Sequence, residues 1–147
     1  MKGVFQGFDI IGSALRADLQ RSEVVASNIA NMHVTGGKNG DPYRRKSVVF
    51  EEVMVQRDSL LSDVPGSASL SGGVRVSGVR ADYKTPFFEA HDPGHPDANE
   101  AGFVLRSNVD IFRELMDLKV VRRGFQANLA ALRTYRGMLQ ATITNFR

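Results

Sequence analysis

The chain has 147 residues, 42% hydrophobic and 24% charged, which is enough for a folded core and places it outside the composition of disordered proteins. Nineteen Lys and Arg against sixteen Asp and Glu give a formal charge of +3 with the two signs interspersed, so nucleic acid is not an expected partner. With no cysteine, a disulfide framework, a thiolate metal site and a cysteine nucleophile are all excluded.

Met1-Lys2-Gly3-Val4-Phe5 opens like a secretion signal, but Gln6 and Asp9 interrupt the apolar stretch such a signal needs, so no cleavable signal is expected. Val4, Phe8, Ile11, Leu15, Val25 and Ile29 fall on a 4-3 repeat interrupted by Asp18 and Ser22. That spacing predicts one long amphipathic helix ending near Asn31. Asn28 and Asn31 are unusual there, because an Asn side chain competes with the helical backbone. Two readings stand: Asn28 points to solvent with Asn31 as a C-cap, or the amides bond to neighbouring helices and set their register.

Thr35 to Pro42 carries the densest turn chemistry in the chain. Beyond it the period changes to two. Val48, Phe50, Val53 and Val55 flank Glu51-Glu52, and Val74, Val76 and Val79 stand among Arg75, Ser77 and Arg80, a pattern of short antiparallel strands. The stretch Leu60 to Gly73, rich in Ser, Gly and Pro, reads as a flexible loop. A second strand pair is expected around Pro86–Glu89 and Gly102–Arg106.

The last segment repeats the helical pattern. Ile111, Leu115, Leu118, Phe125, Leu129, Leu132, Leu139, Ile143 and Phe146 keep a 4-3 spacing broken by Arg122 and Arg136. A helix of about 35 residues would run about 50 Å, capped by Ser107 or Asn108 with Asp110 in its positive first turn. So long a stripe cannot be buried within so small a domain; it needs the N-terminal helix or other copies of the chain. The expected fold is α+β, two long terminal helices in an antiparallel coiled-coil-like pair with a small antiparallel β insert. The expected divisions are residues 1–35, 36–106 with a flexible loop near 60–73, and 107–147.

Few residues suggest chemistry. His91, Asp92, His95 and Asp97 could supply metal ligands, but Pro93, Gly94 and Pro96 forbid a helix there, and a turn is the favoured reading. Gly36-Gly37-Lys38 follows a helix rather than a strand, which argues for a turn over a phosphate cradle. No nucleophile elbow or His-Glu-x-x-His pair is present, so no catalytic residue, metal or cofactor is expected. Arg122, Arg123, Arg133 and Arg136 read as a solvated or intersubunit face, with Glu114 and Asp117 available for salt bridges along the helix or across a contact.

Ala26-Ser27-Asn28-Ile29-Ala30-Asn31 resembles the N-terminal signature of the flagellar basal-body rod protein family. Gly40-Asp41-Pro42-Tyr43-Arg44-Arg45-Lys46, Asp92 to Ala98, Gly102-Phe103-Val104 and Ser107-Asn108-Val109-Asp110 are similar to its short proximal-rod type, and Gln126-Ala127-Asn128 to its C-terminal signature. The likeness covers about the first 55 and last 65 residues. It implies a non-enzymatic subunit exported unfolded through the flagellar type III apparatus and polymerised into a helical tube across the periplasm. Implied partners are copies of itself, proximal and distal rod subunits and the rod-to-MS-ring junction protein, with no nucleic acid and no small-molecule substrate.

On that footing Phe8, Ile11, Leu15 and Val25 are expected to pair with Leu118, Phe125, Leu129 and Leu132 in the assembly interface, with Leu139 extending it and Asn28, Asn31 and Asn128 fixing register. Two rival readings remain: a coiled-coil adaptor or membrane-surface protein, and a small metal-dependent enzyme built on His91, Asp92, His95 and Asp97.

Overall fold

A computed structural model of the chain describes residues 2–36, 40–55 and 70–145. Helix α1 spans Lys2–Ala30 and helix α2 spans Ile111–Asn145. Between them lie strands β1 (Lys46–Val55), β2 (Leu70–Ala81), β3 (Phe88–His91) and β4 (Phe103–Arg106). β1 pairs with β2 and β3 with β4, giving two separate two-stranded sheets. The α+β class and the helix–insert–helix order read from the hydrophobic periods are therefore those of the molecule.

Two boundaries differ from the sequence reading, and the third, at Asn31, agrees with it. Residues 60–69 of the expected loop lie outside the described residues, but Leu70 to Gly73 already belong to β2. The glycines there allow a close approach: Gly73 has φ +120°, a Cβ on it would overlap Ser13 Oγ, and that hydroxyl accepts a hydrogen bond from Val74 N at 3.1 Å. The N-cap of α2 is Asp110, whose Oδ1 accepts from Phe112 N at 2.9 Å while its carbonyl takes Glu114 N. Ser107 and Asn108 are buried instead, at 1% and 3% exposure. At the end of α1, Ser27 O accepts both the backbone N–H and the side-chain amide of Asn31, so Asn31 closes its own helix.

The chain divides into two compact units. The first comprises Met1–Gln20, Phe50–Ser77 and Arg122–Arg147; the second comprises Arg21–Val49 and Gly78–Val121. In the first, the helices run antiparallel. Phe8 meets Tyr135 edge-on with ring centroids 5.0 Å apart, and Asp18 Oδ2 accepts from Asn128 Nδ2 at 3.0 Å. Gly7 lies beneath Tyr135, where a Cβ would stand 2.5 Å from Cζ.

In the second unit the helices are antiparallel again, with Arg21 on Asp117 and Asn28 on Glu114. Its apolar core is small: Val25, Val104, Val109 and Val121. The β3–β4 hairpin is antiparallel, with Phe88 opposite Arg106, Glu89 opposite Leu105, Ala90 opposite Val104 and His91 opposite Phe103. No helix among the described residues is long and apolar enough to cross a membrane.

Candidate assembly site

The chemistry of the second unit centres on Asn28, in the last turn of α1 and wholly buried. Its Oδ1 accepts from Lys46 N at 2.9 Å and Tyr43 Oη at 3.0 Å, and its Nδ2 donates to Lys46 O at 2.8 Å and Glu114 Oε2 at 3.0 Å. The full capacity of a primary amide is thereby used. By holding both backbone groups of Lys46, the side chain stands in for a neighbouring strand at the start of β1. The amide does reach the facing helix, but three of its four bonds go to Tyr43 and Lys46.

A line of alternating charge extends from it. Glu114, also wholly buried, takes Arg45 Nε on Oε1 at 2.6 Å; Arg45 Nη2 reaches Asp117 Oδ2 at 2.9 Å; and Arg21 lies 3.4 Å from Asp117 Oδ1. Two guanidinium groups face two carboxylates, so the desolvated charges cancel, and every Glu114 oxygen is hydrogen-bonded. Glu114 and Asp117 were available for salt bridges along α2 or across a contact between copies; they pair instead with Arg45 and Arg21 of the same chain because they face α1, whereas Arg122 and Arg123 are exposed.

Asn108 fastens the same cluster to the chain after β2. Its Oδ1 accepts Arg45 N at 2.7 Å, and its Nδ2 donates to Asp82 O and Thr85 O, each at 3.1 Å. Asp82 in turn takes Thr85 Oγ1, Thr85 N and Lys84 N. The Thr85 hydroxyl, and then the two amides, hold its carboxyl below the usual carboxylate range. Arg44 stacks on Phe87 at 4.0 Å and on Tyr83 at 4.9 Å.

The residues expected in the assembly interface are thus dispersed. Asn28 and Val25 are buried within the chain, and Asn31 caps its own helix. Phe8 packs on Tyr135, and Asn128 bonds Asp18. Ile11, Leu15, Phe125, Leu129, Leu132 and Leu139 are half-buried. Leu118 is 36% exposed, because over its first turns α2 turns Glu114 and Val121 inward and leaves Leu115, Met116 and Leu118 outside. Arg45, Glu114, Tyr43 and Asn108 were not expected to act together. The signal that could have found them was the pair of asparagines at the end of a helix, which asks for buried polar partners.

The His91 to Asp97 segment is a turn. His95 N bonds Asp92 O, Asp97 N donates to His95 Nδ1, Thr35 Oγ1 donates to Asp97 Oδ2, and the His91 ring packs edge-on to Phe103. Among the described residues no group of three His, Asp or Glu is placed to hold a metal ion.

Residues 8–38 match the family model described as flagella basal body rod protein, and residues 100–145 match that of the flagellar basal body rod FlgEFG protein C-terminal. Asn28, Asn108, Glu114 and Asp117 lie inside these two segments. Flagellar basal-body rod protein FlgC of Escherichia coli O6:H1 is 39% identical over 137 residues, 93% of each chain. The FlgC chains of Bacillus subtilis and Agrobacterium fabrum are 38% and 36% identical, over 95% and 91% of this chain and 95% and 88% of their own. The chain belongs to the FlgC family of flagellar basal-body rod proteins. As a member of the FlgC family it is a structural component of the basal-body rod and serves flagellar motility. The Asn28 cluster and the exposed apolar residues of α2 therefore belong to a protein whose work is assembly.

Proposed function

We propose that the chain is a non-catalytic subunit of the proximal rod that polymerises through its two terminal helices. Residues 1–35 and 107–147 form the inner, axial layer and residues 36–106 the outer insert. Its partners are copies of itself, other proximal and distal rod subunits and the protein joining the rod to the MS ring, and it reaches them through the flagellar type III export apparatus. The observation that carries this reading is the apolar surface that α2 leaves uncovered in each unit. Leu115 is 49% and Leu118 36% exposed in the second unit, and Met138 55% and Ile143 69% in the first. Apolar side chains repeated along a helix and left in water are a surface awaiting a partner. A contact between two different patches that does not close on itself generates a helical filament.

In this arrangement Asn28 and Asn128 set register inside the subunit and Asn31 ends its own helix, while Leu118 and the outer edges of Phe125, Leu129, Leu132 and Leu139 meet neighbouring helices. Leu118→Asp tests the assignment, since the side chain is exposed and the change leaves the isolated fold intact. The variant is expected to keep a wild-type circular dichroism spectrum and thermal midpoint yet to be absent from purified basal bodies, in non-motile cells. Normal rods built from Leu118→Asp would refute the assignment of this face.

A further inference from the structure

The second unit carries two exposed surfaces of opposite charge that do not meet within the chain. One is the outer face of the β3–β4 hairpin, where cross-strand register places Glu89 beside Leu105 and His91 beside Phe103. Leu105 is 45% and Phe103 41% exposed, whereas Val104, on the other face, is 1% exposed. Acidic Glu89 on this face and Glu100 in the loop joining the two strands are exposed, and neither joins an ion pair among the described residues. The other surface is the side of α2 opposite Glu114 and Val121 in its first turns. Phe112, Met116 and Val120 are 78%, 65% and 57% exposed and are accompanied by exposed Arg113 and Lys119, likewise without ion pairs among the described residues.

We propose that the β3–β4 hairpin of one copy docks on this outer face of α2 in the next copy, Phe103 and Leu105 packing against Phe112, Met116 and Val120 while Glu89 and Glu100 approach Arg113 and Lys119. The inference rests on the rod-subunit reading and adds to it which two patches join. Opposite charges flanking apolar side chains on both surfaces supply orientation as well as contact area. Because the patches differ, each copy offers one of each and the contact propagates. The hairpin is preorganised for docking. Asn99 Oδ1 accepts from Ala101 N and Phe103 N, Gly102 N donates to Asn99 O, and Asp92 N to Gly102 O, so little loop entropy is lost on binding.

The chain has no native cysteine, so introduced thiols report without background. Leu105→Cys and Met116→Cys, singly and together, replace the native copy in motile cells, and basal bodies are purified and oxidised. The double variant is expected to give a ladder of covalent dimers and higher oligomers, co-expressed single variants a dimer, and each single variant alone none. Chain present in basal bodies without linked copies, or linked to a different protein, overturns the second-copy assignment. Absence of the unaltered chain from basal bodies overturns the rod reading itself. A second set of variants covers the case in which the cysteine chains fail to assemble. Glu89→Lys with Glu100→Lys is expected to lower incorporation roughly tenfold, and adding Arg113→Glu with Lys119→Glu to restore it; incorporation that is unaffected, or not restored, contradicts the pairing.

Discussion

The same two helices are held in register by different means in the two units. In the second unit a fully bonded amide and a neutralised line of four charges join α1, the start of β1 and α2, with a handful of valines beside them. In the first, the links between the helices include an aromatic pair over a glycine and an Asp18–Asn128 hydrogen bond, and Ile11, Leu15, Phe125, Leu129, Leu132 and Leu139 are only half-buried. Polar contacts have directional geometry and tolerate little slippage, whereas apolar packing tolerates sliding and exchange of partners. The contrast suits a subunit with one end settled inside the chain and helical surface left over for neighbours.

Removing a charge from the cluster should have the largest effect. Arg45→Ala leaves Glu114 buried beside Asn28 alone, and an uncompensated buried charge costs about 3–5 kcal/mol. Urea unfolding of the variant should show that loss; a change below about 1 kcal/mol would mean that the cluster is incidental. In the first unit the sensitive point is steric. Gly7→Val places a branched side chain into the Tyr135 ring and should cost about 1–3 kcal/mol, while leaving the second unit's hydrogen-exchange protection intact. Equal loss of protection in both units would erase the distinction drawn between them.

The smallest effect is expected at Asp82. Its carboxyl is held low in the folded chain, so its contribution is present above the ordinary carboxylate range, about pH 4, and is lost as pH falls through the lowered folded value. Asp82→Asn should therefore flatten the acid limb of the stability profile and leave its neutral region nearly level. An unchanged acid limb would assign the acid sensitivity elsewhere.

Much of this fold is legible in the sequence because hydrophobic period marks helices and strands directly. Both helices and the β3–β4 pair stand where the repeats of Phe8 to Ile29, Ile111 to Ile143 and Phe103 to Leu105 put them. Which face of α2 turns inward is not legible, since Leu115 and Leu118 continue the apolar repeat while Glu114 and Val121 are the buried ones. A pattern based on hydrophobicity assigns a glutamate to the surface, and only a partner 69 residues away, Arg45, reverses that. The N-cap was misplaced for a related reason. Ser107, Asn108 and Asp110 all suit the position, but Asn108 is drawn inward by Arg45 N and the carbonyls of Asp82 and Thr85. The Asn28 motif was visible, yet its partners were not, because two of them lie beyond a turn and the third on the other helix.

The central claim, that helix register in the second unit depends on the buried bond between Asn28 and Glu114, is tested most directly by a double-mutant cycle. Asn28→Ala, Glu114→Gln and the double variant are compared with the native chain by denaturant unfolding. The structure predicts a coupling of at least about 1 kcal/mol between the two sites. Additivity within about 0.3 kcal/mol would contradict the account and leave the helices positioned by the ion pairs of Asp117 and Glu114 with Arg21 and Arg45 and by apolar packing.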